Sequence, residues 1–399
     1  MNAILGLIVV GLFAYVGAAL MKRPRMSLVW RVFAGSGVAF FGVGVVLGPH
    51  GTELLTPETL DSLDTFINLG LGWIGFLFGL QLRILDLRKV PGRQYLGSLV
   101  QALITFGVVA AGMYGLVLLL APPEVSAELV AAAVLGLAAI ASTSTPTTPA
   151  LVCRELRSCG PLGPALQLMT SFDALVAILA LGIPQCFAQP TLVPGVAGGF
   201  LSLAIATCVG LLIGILFHLL TLYRYSDDQL LVVIIGSVVF TAGAAYSLGL
   251  SPLFVSVVAG TTVANLVHER HRTLRVFLSV EQPSYLLMTA LAGALWAPGS
   301  GAVFVLAGSF VLCRVAGKLL GGAVATPLAG LQTRGRLGLG PGLLGHGGMA
   351  VALAVSLQQS YPGPVGNTAL TATIASVLAT TFLAPKTTTA MLASNEEVS

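Results

Sequence analysis

Two stretches decide how this chain folds: Ser142-Thr143-Ser144-Thr145-Pro146-Thr147-Thr148-Pro149, and Gly338-Leu339-Gly340-Pro341-Gly342 followed by Gly345-His346-Gly347-Gly348. Both lie inside long apolar runs, where an unbroken helix is the rule. Pro146 and Pro149 withdraw two backbone donors and free nearby carbonyls. The hydroxyls beside them can satisfy some of those groups and add oxygen ligands. Pro341 and its glycines interrupt the second run. Backbone that leaves the helix at membrane depth is tolerated only where it is buried in protein or lines a cavity.

The rest of the composition fits a membrane domain. Of 399 residues, 56% are apolar and 9% charged, against about 25% charged in a soluble domain. That excludes an ordinary cytosolic enzyme, a disordered chain and a nucleic-acid binder. Candidate spans, against about 20 residues needed to cross a bilayer, fall at 2–21, 29–48, 64–82, 94–120, 127–152, 161–185, 194–222, 229–248, 251–267, 282–297, 300–326, 338–358 and 365–390, the ninth and tenth being short. Together they leave no room for a soluble domain. The five cysteines (153, 159, 186, 208 and 313) form no CxxC and no zinc pattern, and are expected as apolar or reduced thiols.

The loop charges set the orientation. With the N-terminus outside, every Lys and Arg of the 19 except Arg314 and Lys318 falls in or beside an inner connection or the C-terminal end. The outer connections carry acids instead: Glu53, Glu58, Asp61, Asp64, Glu124 and Glu128. The positive-inside rule then gives an N-out, C-in protein of the cytoplasmic (cell inner) membrane.

Three charges remain within the hydrocarbon: Asp173 in the sixth span, and Arg314 and Lys318 in the eleventh. An ionisable residue there costs several kcal/mol and marks a functional site with a partner. Counted from the inner ends of their helices, Asp173 and Lys318 lie at a similar depth, roughly 14–15 Å in. They are expected to pair. Arg314, one turn before Lys318, either lines the same cavity or neutralises a helix end.

The interrupted spans are the fifth and the twelfth, seven apart, so they run in opposite directions. Each is the middle of a triplet. The expected fold is therefore an all-α polytopic bundle of about 13 transmembrane helices: two inverted six-helix repeats, a linker helix, and two interrupted crossing helices. Broken helices at corresponding positions of inverted halves point to a transporter's midplane site. Residues 1–399 are read as one transporter domain. Its parts are scaffold and dimer helices at 1–93 and 229–297, an ion-translocating core at 94–185 and 300–390, and a linker helix at 194–222. No soluble regulatory domain is expected.

With these residues placed, the chain resembles the monovalent cation:proton antiporter-2 family over about residues 30 to 390. Val45-Val46-Leu47-Gly48-Pro49-His50-Gly51 is similar to its early "GxxLGPxG" helix. Phe76-Leu77-Phe78-Gly79-Leu80-Gln81-Leu82 is similar to its "FxxGLxL". Thr147-Thr148-Pro149-Ala150 with Val152-Cys153-Arg154-Glu155-Leu156 resembles the "TSPA…LRVL" of its interrupted helix. Asp173 falls at the family's ion-binding acid, and Arg314-Val315-Ala316-Gly317-Lys318-Leu319-Leu320-Gly321 matches its "RxxGKxxG" helix. Two positions depart. Phe172 stands where relatives have a second acid, and His346 stands where they often have an arginine.

The resemblance implies a homodimer and an antiporter exchanging Na⁺, or Li⁺ or K⁺, for H⁺ by alternating access. Asp173 is the one intramembrane acid, so cation and proton would compete for it. Ser144, Thr147 and Thr148 would add oxygen ligands and Lys318 a counter-charge, while Arg314 and His346 are secondary charge or pH candidates. His346 is read chiefly as a donor tying down freed carbonyls. No cofactor and no nucleic acid are expected, only the transported ions and the bilayer. A cation channel or uniporter, a carrier of small organic anions and an integral-membrane enzyme are the alternatives. The enzyme lacks any nucleophile–base pattern in the spans.

Overall fold

The computed structural model describes residues 11–12, 33, 37–84, 90–120, 126–156, 160–188, 196–223, 226–266 and 270–395. The first expected span, with Lys22, Arg23, Arg25 and Arg31 after it, lies outside the described residues apart from 11 and 12. The described residues form helices and short connections, and eight helices among them are long and apolar enough to cross a membrane.

In chain order the helices are α1 (Val38–Leu47), α2 (Pro57–Gln81), α3 (Gly92–Leu120), α4 (Ala127–Ser142), α5 (Thr147–Glu155), α6 (Leu162–Ala188) and α7 (Val196–Leu220). They continue with α8 (Asp227–Ser247), α9 (Pro252–Leu266), α10 (Arg270–Leu295), α11 (Gly301–Leu328), a 3₁₀ turn at Gly340–Leu343, α12 (Gly348–Ser360) and α13 (Pro364–Ser394).

Local chemistry explains the ends. α2 starts seven residues before the expected 64 because Thr56 accepts a hydrogen bond from the Thr59 amide and Pro57 fills the first helical position. Hydropathy alone misses that start, since the first turns carry Glu58, Asp61 and Asp64. Ser126 caps α4, and Ser226 with Gln229 forms a capping box on α8.

Packing relates the two halves pairwise. α2 lies on α9 and α1 on α10; α3 lies on α11; α3 meets α6 as α11 meets α13; α4 meets α6 as α12 meets α13. Helix α7 packs on α9, α6 and α8. Some of these contacts are backbone against backbone. A Cβ on Gly79 would collide with the Val257 carbonyl, one on Gly260 with the Phe76 carbonyl, and one on Gly322 with the Gly340 amide. Only glycine permits such approach.

One large apolar core unites residues of α2, α4, α6, α10, α12 and α13, among them Leu71, Ile74, Ile140, Ile178, Leu291, Leu353 and Leu370. The outer faces of α3, α7 and α8 instead present exposed apolar side chains such as Leu103, Leu212 and Val232, as lipid-facing helices do. The cysteine expectation is corrected at one position. Cys153 is disulfide-bonded, while Cys208 and Cys313 are free. An odd count without a CxxC motif gave no signal of it.

Candidate functional site

Helix α4 stops at Ser142, and residues 143–145 are non-helical, Thr143 with extended backbone, until Pro146 heads α5. On the other side the chain leaves the 3₁₀ turn at Leu343 and runs without helix to Gly347. The two irregular segments touch directly. The Thr145 amide donates to the Gly345 carbonyl at 3.0 Å, and Ser144 Oγ donates to the Leu343 carbonyl at 2.8 Å.

The prolines do less at the breaks than their sequence positions suggest. Pro146 and Pro149 occupy the cap and first turn of α5, where amides lack helical partners anyway. Pro341 sits inside the 3₁₀ turn, ahead of the break itself. The carbonyls left over belong to the helix ends upstream: Ser142, Thr143, Leu344 and Gly345.

Helix α11 answers those carbonyls with its two cations. Arg314 donates to the Leu344 carbonyl (2.8 Å), the Thr143 carbonyl (2.8 Å) and the Gly345 carbonyl (3.2 Å). Lys318 donates to the Ser142 carbonyl at 2.6 Å and to Asp173 Oδ2 at 2.7 Å. Of the two sequence readings of Arg314, the geometry matches the neutralised helix end. It is a fit of charge to dipole, since helix C-termini carry negative partial charge.

Asp173, Arg314 and Lys318 are all 0% exposed. The expected pair is present. Asp173 Oδ1 is buried and has no hydrogen-bond partner among the described residues. Phe172 turns away toward Tyr95, with ring centroids 5.0 Å apart.

His346 is tied down on both sides of its ring. Nε2 lies 3.2 Å from the Ile140 carbonyl and 2.9 Å from Thr143 Oγ1, and Nδ1 lies 2.9 Å from Ser376 Oγ. A carbonyl only accepts, so Nε2 carries a proton directed at Ile140 and Thr143, while the Ser376 hydroxyl can serve Nδ1 as donor or acceptor. Both ring nitrogens are engaged.

Thr147 and Thr148 do not appear among the partners of Asp173. They line a cavity of about 80 Å³ beside the crossing, together with Ser144, Thr145 and His346. Gln81, Thr380 and Thr381 line it too, and sequence reasoning missed them. The four-residue spacing of Ser376 and Thr380 on one face of α13 was the available signal. A second cavity of about 210 Å³ shares Phe78 and Gln81 with the first and reaches Tyr95, Ser171 and Phe172. Gln81, which lines both, is the last residue of α2. Toward the other end of α2, Asp61 and Asp64 line a vestibule of about 530 Å³.

A buried ion pair at the contact of two broken helices, in an all-helical membrane bundle, is the architecture of a membrane transporter. The chain belongs to the sodium/hydrogen exchanger family, whose transmembrane-region profile matches residues 4–394. The family is one of transporters, not enzymes, and membership carries cation/proton exchange in general. The fold is similar to the sodium proton antiporter MjNhaP1 from Methanocaldococcus jannaschii at pH 8, at 15% identity, with a TM-score of 0.64 and 98% of each chain covered. A second structure of MjNhaP1, determined by electron microscopy, gives 14% identity and a TM-score of 0.61 over 98% of this chain and 99% of that one. No curated protein matches the sequence.

Proposed function

We propose that this chain is a secondary antiporter that exchanges Na⁺ for H⁺ by alternating access, with Li⁺ or K⁺ as possible substitutes for Na⁺, and with ion and proton competing for Asp173. The observation that carries this is the unpartnered, buried Oδ1 of Asp173 beside carbonyls already neutralised by Arg314 and Lys318. A dehydrated cation needs hard oxygen ligands. Oδ1 and Ser144 supply them at the pair, while Thr147 and Thr148 line the approach.

Five finer readings belong to the same proposal. The pairwise packing of α1–α6, with α4 and α5 as halves of one interrupted span, against that of α8–α13 supports two inverted repeats about a linker; the first expected span, outside the described residues, would complete the first repeat and bring the count to thirteen. The motif order supports the monovalent cation:proton antiporter-2 branch of the family. The charge split supports N-out, C-in insertion in the cytoplasmic membrane. The division into scaffold (1–93 and 229–297), core (94–185 and 300–390) and linker (194–222) is supported by the glycines, because backbone-on-backbone approaches join α2 with α9 and α11 with its turn. The homodimer rests on the family resemblance.

The test is transport by purified protein in proteoliposomes holding a pH dye. Added Na⁺ should move protons, and Asp173→Asn should abolish the response. Normal exchange by the Asn variant would overturn the site assignment. Cation flux without proton movement in the parent would favour a channel.

A further inference from the structure

Helix α10 ends at the vestibule. Leu295 is its last residue and lines that cavity together with Ser356 of α12. The next residue, Trp296, stands between two helices. Its ring meets Phe41 of α1 edge to face, with centroids 6.1 Å apart, and its indole Nε1 donates to Thr371 Oγ1 of α13 at 2.9 Å. One residue on, the Ala297 amide donates to Asn367 Oδ1 of α13 at 3.1 Å. Asn367 and Thr371 are four residues apart, so a single face of α13 receives both donors. The Thr371 hydroxyl itself donates to the Asn367 carbonyl at 2.8 Å. That leaves a lone pair for the indole, a group that only donates.

The two sides of this contact are anchored to different neighbours. A Cβ on Gly44 of α1 would collide with the Ala290 carbonyl, and one on Gly293 with the Phe41 carbonyl, so α10 is seated backbone to backbone on α1. Helix α13 packs instead on α11 and α12. In the proposed division, α1 and α10 belong to the scaffold and α11–α13 to the core, and both hydrogen bonds cross the seam between them. The polar tie at the far end of α2 stays within the scaffold. There Asn265 of α9 donates to the Leu82 carbonyl at 3.0 Å and accepts from the Ile84 amide at 2.9 Å.

We infer that Trp296 and Asn367 form a clasp that resists widening of the vestibule end, and that its release sets how often the ion site is presented there. The inference rests on the antiporter reading for the movement it governs. The core cannot part from the scaffold at this end with both bonds intact, because the donors travel with α10 and the acceptors with α13. A single hydrogen bond is weak enough to break in every cycle and strong enough to bias an equilibrium by about fivefold.

Labelling with an impermeant maleimide tests the clasp without transport. In a cysteine-free background, Ser356→Cys places a thiol at a vestibule position that is 4% exposed. Adding Trp296→Phe, which keeps a ring against Phe41, or Asn367→Ala should speed its labelling about fivefold, and both together should speed it more. A control thiol from Ala245→Cys, at a buried position on α8, should react no faster. An unchanged rate at the vestibule overturns the clasp, and so does an equal rise at both positions, which marks general loosening. In sided vesicles, the same variants should lower the apparent KM for Na⁺ at the vestibule face and raise it at the other. Values that move in the same direction at both faces reject the clasp as well. If the labelling pattern holds while the parent shows no Na⁺-driven proton flux, only the antiporter reading fails.

Discussion

Lys318 holds Asp173 by one oxygen: Nζ is 2.7 Å from Oδ2, while Oδ1 of the same carboxylate is buried and unpartnered. The carboxylate is thus both neutralised and available. Lys318 spends its second donor on the Ser142 carbonyl, so the pair is anchored to the break in α4. Any ion that takes Oδ1 meets a carboxylate whose charge is already shared.

The pair should show as energetic coupling. Removing one member of a buried ion pair strands the other charge and costs about 3–5 kcal/mol. Asp173→Asn and Lys318→Gln are each expected to lower the Tm of the detergent-solubilised protein. The double variant should lose less than the two single losses combined. Strict additivity would mean that the contact carries no coupling.

Exchange should be electroneutral. With no cation bound, a charged Lys318 against a charged Asp173 sums to zero. With Na⁺ on Asp173 and Lys318 relieved of its proton, the sum is again zero, and no second acid stands at Phe172 to change it. Proton flux on a Na⁺ step is expected to be insensitive to an imposed membrane potential. A sustained current on a solid-supported membrane that scales with proton flux and vanishes in Lys318→Gln would reverse this.

Competition for one carboxylate fixes the sign of the pH dependence. A protonated Lys318 pairs with Asp173 and excludes Na⁺, so the apparent KM for Na⁺ should rise as pH falls. The slope should approach about tenfold per pH unit on the acid side, with the maximal rate little changed. Initial rates across a pH series would read it. A maximal rate that collapses at constant KM argues against shared occupancy.

His346 should behave as a fastener. Both ring nitrogens are engaged, by Ser376 on one side and by Thr143 and Ile140 on the other. His346→Gln is expected to lower the Tm and leave the pH profile of exchange in place. A displaced profile at unchanged Tm would make it a proton carrier.

Labelling tests the insertion. Single cysteines at Thr56 and Gly363 should react with an impermeant reagent from outside the cell, and one at Arg334 only from inside. A reversed label at any of the three breaks the count of spans on that side of the chain.

The pair at the centre was readable from sequence because membrane burial makes charge rare. With one acid and two bases in the hydrocarbon, similar depth left Asp173 and Lys318 as partners. The breaks were readable for a related reason, since Pro146 and Pro341 stand out in apolar runs. The receiving groups were not. The Ser142, Thr143 and Leu344 carbonyls have no residue-type signature, and their freedom depends on where α4 and the 3₁₀ turn end. The start of α2 was hidden by its own acids, which lower hydropathy where Thr56 and Pro57 begin the helix. Those same acids line the vestibule.

Gly182 and Gly348 differ in kind from Gly79 and Gly322. A Cβ on Gly182 would meet the ring of Phe254, and one on Gly348 the ring of Tyr285, whereas Gly79 and Gly322 face backbone. In the proposed division, the two ring contacts lie across the seam between core and scaffold. A ring has alternative rotamers and a carbonyl has none. Alanine at Gly79 or Gly322 should therefore cost yield of folded protein, while alanine at Gly182 or Gly348 should spare the yield and alter turnover. Expression level and speed then become separate maps of one molecule, and their border marks where it slides.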